Sequence, residues 1–242
     1  MSAGHAAPVH GIEPHDAAYG GRLNRLRAGV LGANDGIVSV AALVVGVAGA
    51  TTAWEPILAA GIAALIGGAI SMALGEYVSV SSQSDSQRAL IRKEQEELRE
   101  QPEAELEELV GLYRRKGLSE ATARAVATEL TAADALSAHL DAELGLTERS
   151  VANAWSAAAA SALAFTIGGV LPLAAILLVS DRLRVPLTFA VVLAALVATG
   201  LVSARLGGSR PLRPTLRIVI GGGLALGVTF GIGTLLGVSG VA

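Results

Sequence analysis

The sequence contains no cysteine. This excludes disulfides, thiolate zinc sites and cysteine nucleophiles, and leaves oxygen, imidazole and thioether groups as the ligands available to a metal. Thioethers are scarce too: of two methionines, one is the initiator and the other is Met72. Charged residues make up only 16% of the 242 positions, against 52% hydrophobic residues. With a positive mean hydropathy, that balance places the chain in the membrane class. Residues 1–21 lack the apolar core of a signal peptide. No hydrolase triad, phosphate loop or nucleic-acid patch stands out. The Glu-x-x-His pairs of ferritin-like oxidases are also missing, because four residues separate His139 from Glu143. The chain therefore reads as a non-enzyme with no nucleic-acid partner.

The charge that is present is unevenly distributed. Between Ser81 and Ser150 there are 15 acids and 9 bases, a balance of −6, whereas the remainder has 6 acids and 9 bases, a balance of +3. An acidic module is thus inserted into a basic-edged membrane protein. The expected architecture is all-α: five transmembrane helices with a cytosolic helical metal-binding module between the second and third. The divisions are a mobile tail over 1–21, membrane helices 1 and 2 over 22–82, the acidic module over 83–150, and membrane helices 3 to 5 over 151–242.

The tail carries His5, His10 and His15 beside Glu13 and Asp16. Imidazoles suit transition metals, but the composition equally suits a disordered terminus. The first span is expected over Leu26 to Ala50. Within it, Gly32 and Gly36 would admit a close neighbour helix, and Asp35 would lie roughly 12 Å inside from Arg27. Charging a carboxylate at that depth costs on the order of 3 kcal/mol, which makes Asp35 a functional candidate. A turn at Asn34-Asp35-Gly36 would instead divide this span. The second span, near Ile57 to Val80, has Gly67, Ser71 and Gly75 on one face, with Met72 and Glu76 beside them. Soft and hard donors together suit a borderline divalent ion, although Met72 can also be packing filler and Glu76 a solvated terminus.

In the module, a helix continuing the second span should stop before Pro102. A second helix should run from Glu103 to Lys116, with Gly117 ending it, and a third should follow, capped by Ser119, to about Leu130. Thr131-Ala-Ala-Asp134 reads as a capping box for a fourth, ending at Gly145. Glu94 and Glu97, and Glu105 and Glu108, are spaced three apart; His139 and Glu143 are four apart. Such spacings build metal sites when helices converge, and they also occur on plain solvated faces. The later spans are expected over Ala154 to Val179, with Pro172 loosening the helix, over Pro186 to Ala204, and over Ile218 to Val238, where Gly223, Gly227 and Gly231 would form a packing groove. The distribution of arginine places the N-terminus and module inside and the C-terminus outside.

Two motifs, Gly32-Ala-Asn34-Asp35-Gly36-Ile-Val-Ser39 and Gly68-Ala-Ile-Ser-Met72-Ala-Leu-Gly-Glu76-Tyr77-Val-Ser79, resemble the vacuolar iron transporter family, which includes nodulin-like and bacterial members. The likeness continues through Glu103-Ala-Glu-Leu-Glu-Glu-Leu, His139-Leu-Asp-Ala-Glu143-Leu-Gly-Leu, Asn153-Ala-Trp-Ser and Gly168-Gly-Val-Leu-Pro172-Leu, and so covers nearly everything after Arg22. It implies a homodimeric antiporter that exchanges Fe(II), often also Mn(II), for protons, with the metal as cargo and no resident cofactor. Asp35 and Met72 match the family's transport ligands; Asn34 stands beside Asp35 in the motif, and Glu76, expected at the membrane's cytosolic edge, reads as the relay. Glu94, Glu97, Glu105, Glu108 and Glu143 match its metal-gathering glutamates. Where plant-type members carry methionines, this chain has Ser137, Ala138, His139 and Leu140, so His139 would supply an imidazole instead. A bacterial cell membrane is expected from the Ala, Gly and Arg content. The competing reading is a membrane-anchored metal buffer or sensor that moves nothing across the bilayer.

Overall fold

The computed structural model describes residues 17–146, 153–208 and 210–238. The regular elements among them are all helical: α1 (Ala17–Ala50), α2 (Trp54–Glu100), α3 (Pro102–Arg115), α4 (Glu120–His139), a π-helical turn (Leu140–Leu144), α5 (Ala154–Leu177), α6 (Asp181–Leu206) and α7 (Leu212–Val238). Five of them, α1, α2, α5, α6 and α7, are long and apolar enough to cross a membrane. The tail histidines lie outside the described residues.

The described chain forms two compact units, one containing residues 83–146 and the other containing residues 24–82, 153–208 and 210–238. Helix α2 contributes to both. Its 47 residues extend roughly 70 Å at 1.5 Å per residue, more than twice a bilayer's hydrocarbon thickness. The apolar part up to Val80 is long enough for a crossing, and the polar part from Gln83 onward belongs to the other unit.

In the apolar unit α1 is the central helix. It runs unbroken through Asn34-Asp35-Gly36, so the triplet does not act as a turn. Gly32 and Gly36 bring the α5 backbone at Ser161 and Phe165 so near that a Cβ at either glycine would overlap it, and Gly168 meets the Ala33 carbonyl in the same way. At the other end of α1, Gly233 and Gly237 of α7 lie against the Gly46 and Ala50 carbonyls. Two apolar clusters flank the helix: Val40, Val44 and Val45 with Ile57, Phe165 and Ile176, and Ile37 and Ala41 with Val192, Leu196 and Leu226. The outside is as apolar as the inside. Ile70, Leu74 and Val78 of α2 and Leu224 and Val228 of α7 are exposed, the pattern of a lipid-facing surface rather than of a soluble protein.

The α1–α2 and α5–α6 connections sit at one end, where buried Arg184 donates to the Thr52 carbonyl (3.1 Å) and pairs with Asp181 (2.7 Å). At the opposite end Arg27 meets Glu76 at 3.5 Å, and the Tyr77 and Trp155 rings lie 4.7 Å apart. Helix α5 continues through Pro172 to Leu177.

Two expectations need correction. The groove expected from Gly223, Gly227 and Gly231 is not the one used: Gly227 and Gly231 have open space where a Cβ would stand, and Gly222, Gly233 and Gly237 make the close approaches instead. Four-residue spacing defines a face of α7 but not which face turns to α1. Likewise, the helix after Leu130 does not start at Thr131. Helix α4 runs on to a kink at Asp134 (φ −163°, ψ 93°), whose own carboxylate accepts from the Ser137 N–H (3.0 Å). Asp134 thus fills the N-cap role, and Thr131 Oγ1 is buried without a hydrogen-bond partner among the described residues.

Candidate metal site

The module is held by a small apolar core in which Leu109 and Val110 of α3 pack on Ala123, Ala127 and Ala138 of α4. Pro102 stops α2 and opens α3, and Ser119 caps α4 by accepting from the Thr122 N–H. Gly117 and Gly145, with φ of 100° and 59°, supply the left-handed positions that end α3 and the π turn. Packing α3 and α4 together with the polar half of α2 buries one titratable side chain from each: Glu94 of α2, Glu105 of α3 and His139 at the end of α4.

These three side chains offer ligand atoms that all lie within 4.8 Å of one another. His139 Nδ1 is 2.9 Å from Glu94 Oε1 and 3.7 Å from Glu105 Oε2. His139 is fully buried, and Glu94 and Glu105 are only 5% and 8% exposed. Neither imidazole nitrogen has a hydrogen-bond partner among the described residues, nor does Glu94 Oε1, despite the short approach. Buried polar atoms without partners are costly and uncommon. Here two of them, Glu94 Oε1 and His139 Nδ1, face each other beside Glu105, and two carboxylates with an imidazole form a donor set suited to Fe(II) or Mn(II).

Electrostatics make the site cation-seeking. Burial, followed by repulsion from Glu143, Glu105, Glu97 and Glu108, pushes the Glu94 carboxyl up to about 7. Burial and the neighbouring Glu108 push Glu105 up as well, with His139 opposing. Glu97, Glu108 and Glu143 therefore stand near enough for their charges to be felt, although Glu108 and Glu143 are exposed and Glu97 is held by Lys93 at 2.8 Å. Not every acid takes part. Glu107 forms a bidentate pair with Arg124 (2.5 and 2.7 Å) that holds its carboxyl below the usual range. Arg124 of α4 thus neutralises one of the glutamates between 94 and 108, a partner that sequence alone did not assign.

The membrane candidates are placed differently. Asp35 is half-buried on α1 and accepts from the Ser39 hydroxyl one turn away at 2.7 Å. Asn34 Oδ1 is buried and unpartnered among the described residues. Met72 packs against the apolar cluster around Phe165. The Glu76 side chain is 10% exposed, and its recorded partner is Arg27. Arg27 was legible only as a positive residue at the mouth of a span; its pairing with a carboxylate 49 positions away left no local signal.

The model of the VIT family matches residues 26–234, which takes in both α1 and the module. A protein of Acanthamoeba castellanii named vacuolar iron transporter is 43% identical over 211 residues, covering 87% of this chain and 78% of that protein. Vacuolar iron transporter homolog 5 of Oryza sativa subsp. japonica is 36% identical over 221 residues, covering 91% and 84%. Vacuolar iron transporter homolog 2.1 of Arabidopsis thaliana is 32% identical over 226 residues, covering 93% and 87%.

Proposed function

The chain belongs to the VIT family, and from that premise we propose that it carries Fe(II), and also Mn(II), across a membrane in exchange for protons, exporting the metal from the cytosol. The observation that carries the reading is the buried cluster of Glu94, Glu105 and His139, whose ligand atoms lie within 4.8 Å of one another and in which Glu94 Oε1 and His139 have no hydrogen-bond partner among the described residues.

In this reading Glu97, Glu108 and Glu143 raise the local cation concentration, and Glu94, Glu105 and His139 take the ion. Binding releases protons, because a carboxylate must be ionised and an imidazole neutral to act as a ligand. The ion is then carried by Asp35, Asn34, Met72 and Glu76. Asp35 alternates between a proton and the metal as its counter-charge, which gives one carboxylate both fluxes to couple. The Ser39 hydrogen bond holds Asp35 in one orientation between events. Two copies of the chain would present two sets of these ligands about a two-fold axis. The membrane is the cell membrane, with the N-terminus and module in the cytosol and the C-terminus outside.

The test is a proteoliposome assay of the full chain, reading Mn(II) movement and lumenal pH together. Wild type is expected to exchange Mn(II) for protons, and Asp35→Ala is expected to lose both signals while keeping its Mn(II) affinity by calorimetry. Undiminished exchange in Asp35→Ala refutes the pathway. Binding without exchange in wild type returns the protein to a membrane-anchored buffer.

A further inference from the structure

The geometry points to a binding site for one anionic phospholipid on the outer face of α1 and α6. A groove of about 390 Å³ opens between these helices, lined by Gly29, Val30 and Ala33 on one side and Ala198, Thr199 and Val202 on the other. Its lining presents no charge. The Thr199 hydroxyl is already committed to the Ala195 carbonyl at 2.9 Å, so the groove offers apolar surface to its occupant. Gly29 has no heavy atom within 4 Å of where a Cβ would stand; the groove owes part of its depth to that missing side chain.

The groove leads toward the strongest positive charge in the apolar unit. Arg205 lies three positions after Val202 on α6 and so continues the same helical face. Arg210, Arg213 and Arg217 follow around the α6–α7 connection, and all four are exposed. From residue 182 to the C-terminus the sequence contains no Asp or Glu, so this segment supplies no counter-charge of its own. An apolar groove ending in arginines matches a molecule with an acyl chain at one end and a phosphate at the other, and clusters of this kind next to membrane helices favour anionic headgroups. A second copy docked by a self-complementary contact centred on this groove fits less well, since its own residues 182–242 would bring more arginine and no acid.

The experiment is native mass spectrometry of the delipidated full-length protein titrated with phosphatidylglycerol or phosphatidylcholine. Wild type is expected to retain phosphatidylglycerol roughly tenfold more tightly than phosphatidylcholine, and glycerol 3-phosphate at matched concentration should not displace it. Changing both Arg205→Gln and Arg213→Gln should erase the preference. Filling the groove by Gly29→Leu or, from the opposite wall, by Ala198→Leu should reduce retention of both lipids at least fivefold. Both positions border open space, so either variant is expected to fold. Equal retention of the two lipids by wild type overturns the proposal, as does unchanged retention in both groove-filling variants. Displacement by glycerol 3-phosphate would assign the arginines to a free phosphate, and a change in oligomeric mass without lipid loss would assign the groove to a second copy; either result also overturns it.

Discussion

Replacing Glu94 by Gln separates two properties that a metal site sets against each other. Burial and four neighbouring carboxylates raise the Glu94 carboxyl from 4.5 to about 7, so the folded module holds this proton more tightly than the unfolded chain does. The sign follows from that difference. Below about pH 4.5 the group is protonated in both states and contributes nothing; as pH rises toward 7 the unfolded chain ionises first, and the folded state loses stability relative to it. Above pH 7 the loss levels off, on the order of 3 kcal/mol at 1.36 kcal/mol per pH unit between the unfolded and folded values. Glu94→Gln keeps the shape and removes the titration. In metal-free protein, hydrogen exchange of α4 amides, corrected for intrinsic rates, should match between wild type and variant near pH 4.5. By pH 8 the variant should be protected roughly a hundredfold more strongly. Saturating Mn(II) should then raise protection in wild type and have little effect on the variant, because the ion supplies the charge that repulsion left uncompensated. Equal protection of the two proteins at pH 8 would refute the electrostatic account. A full Mn(II) response in Glu94→Gln would refute its role as a ligand.

Two further outcomes test the geometry. His139→Ala should weaken Mn(II) binding by calorimetry by at least tenfold, whereas Glu143→Gln, on an exposed side chain that acts through its charge, should weaken it only a few-fold, and more at low salt than at high. Gly36→Ala should lower the melting temperature of the detergent-solubilised protein, because a Cβ there overlaps the α5 backbone at Phe165 and overpacking costs about 1–3 kcal/mol. Gly227→Ala, which meets open space, should leave it unchanged.

Much of this protein was legible as spacing. Five apolar runs, the stops at Pro102 and Gly117, the Ser119 cap and the close approach at Gly32 and Gly36 are each local patterns with a physical meaning within one or two helical turns. The glutamate pairs, His139, Asp35 and Met72 stood out for the same reason, because each is chemically out of place or regularly spaced on its own helix. What the spacing left open was the choice of partner. A run of eight glutamates between 94 and 108 gives no sign that Glu107 is neutralised by Arg124, while Glu94 and Glu105 are buried against an imidazole 34 or more positions away. Nor does it show that Glu76 faces Arg27, or that α7 turns Gly233 and Gly237 toward α1 and Gly227 and Gly231 away. A helix fixes which of its residues share a face; packing alone fixes which face is covered and by what. The sequence by itself determined an all-helical membrane chain with an acidic insertion and its candidate ligands. The tertiary structure decided which of those ligands converge, because desolvation and unpaired polar atoms exist only once the helices are in contact.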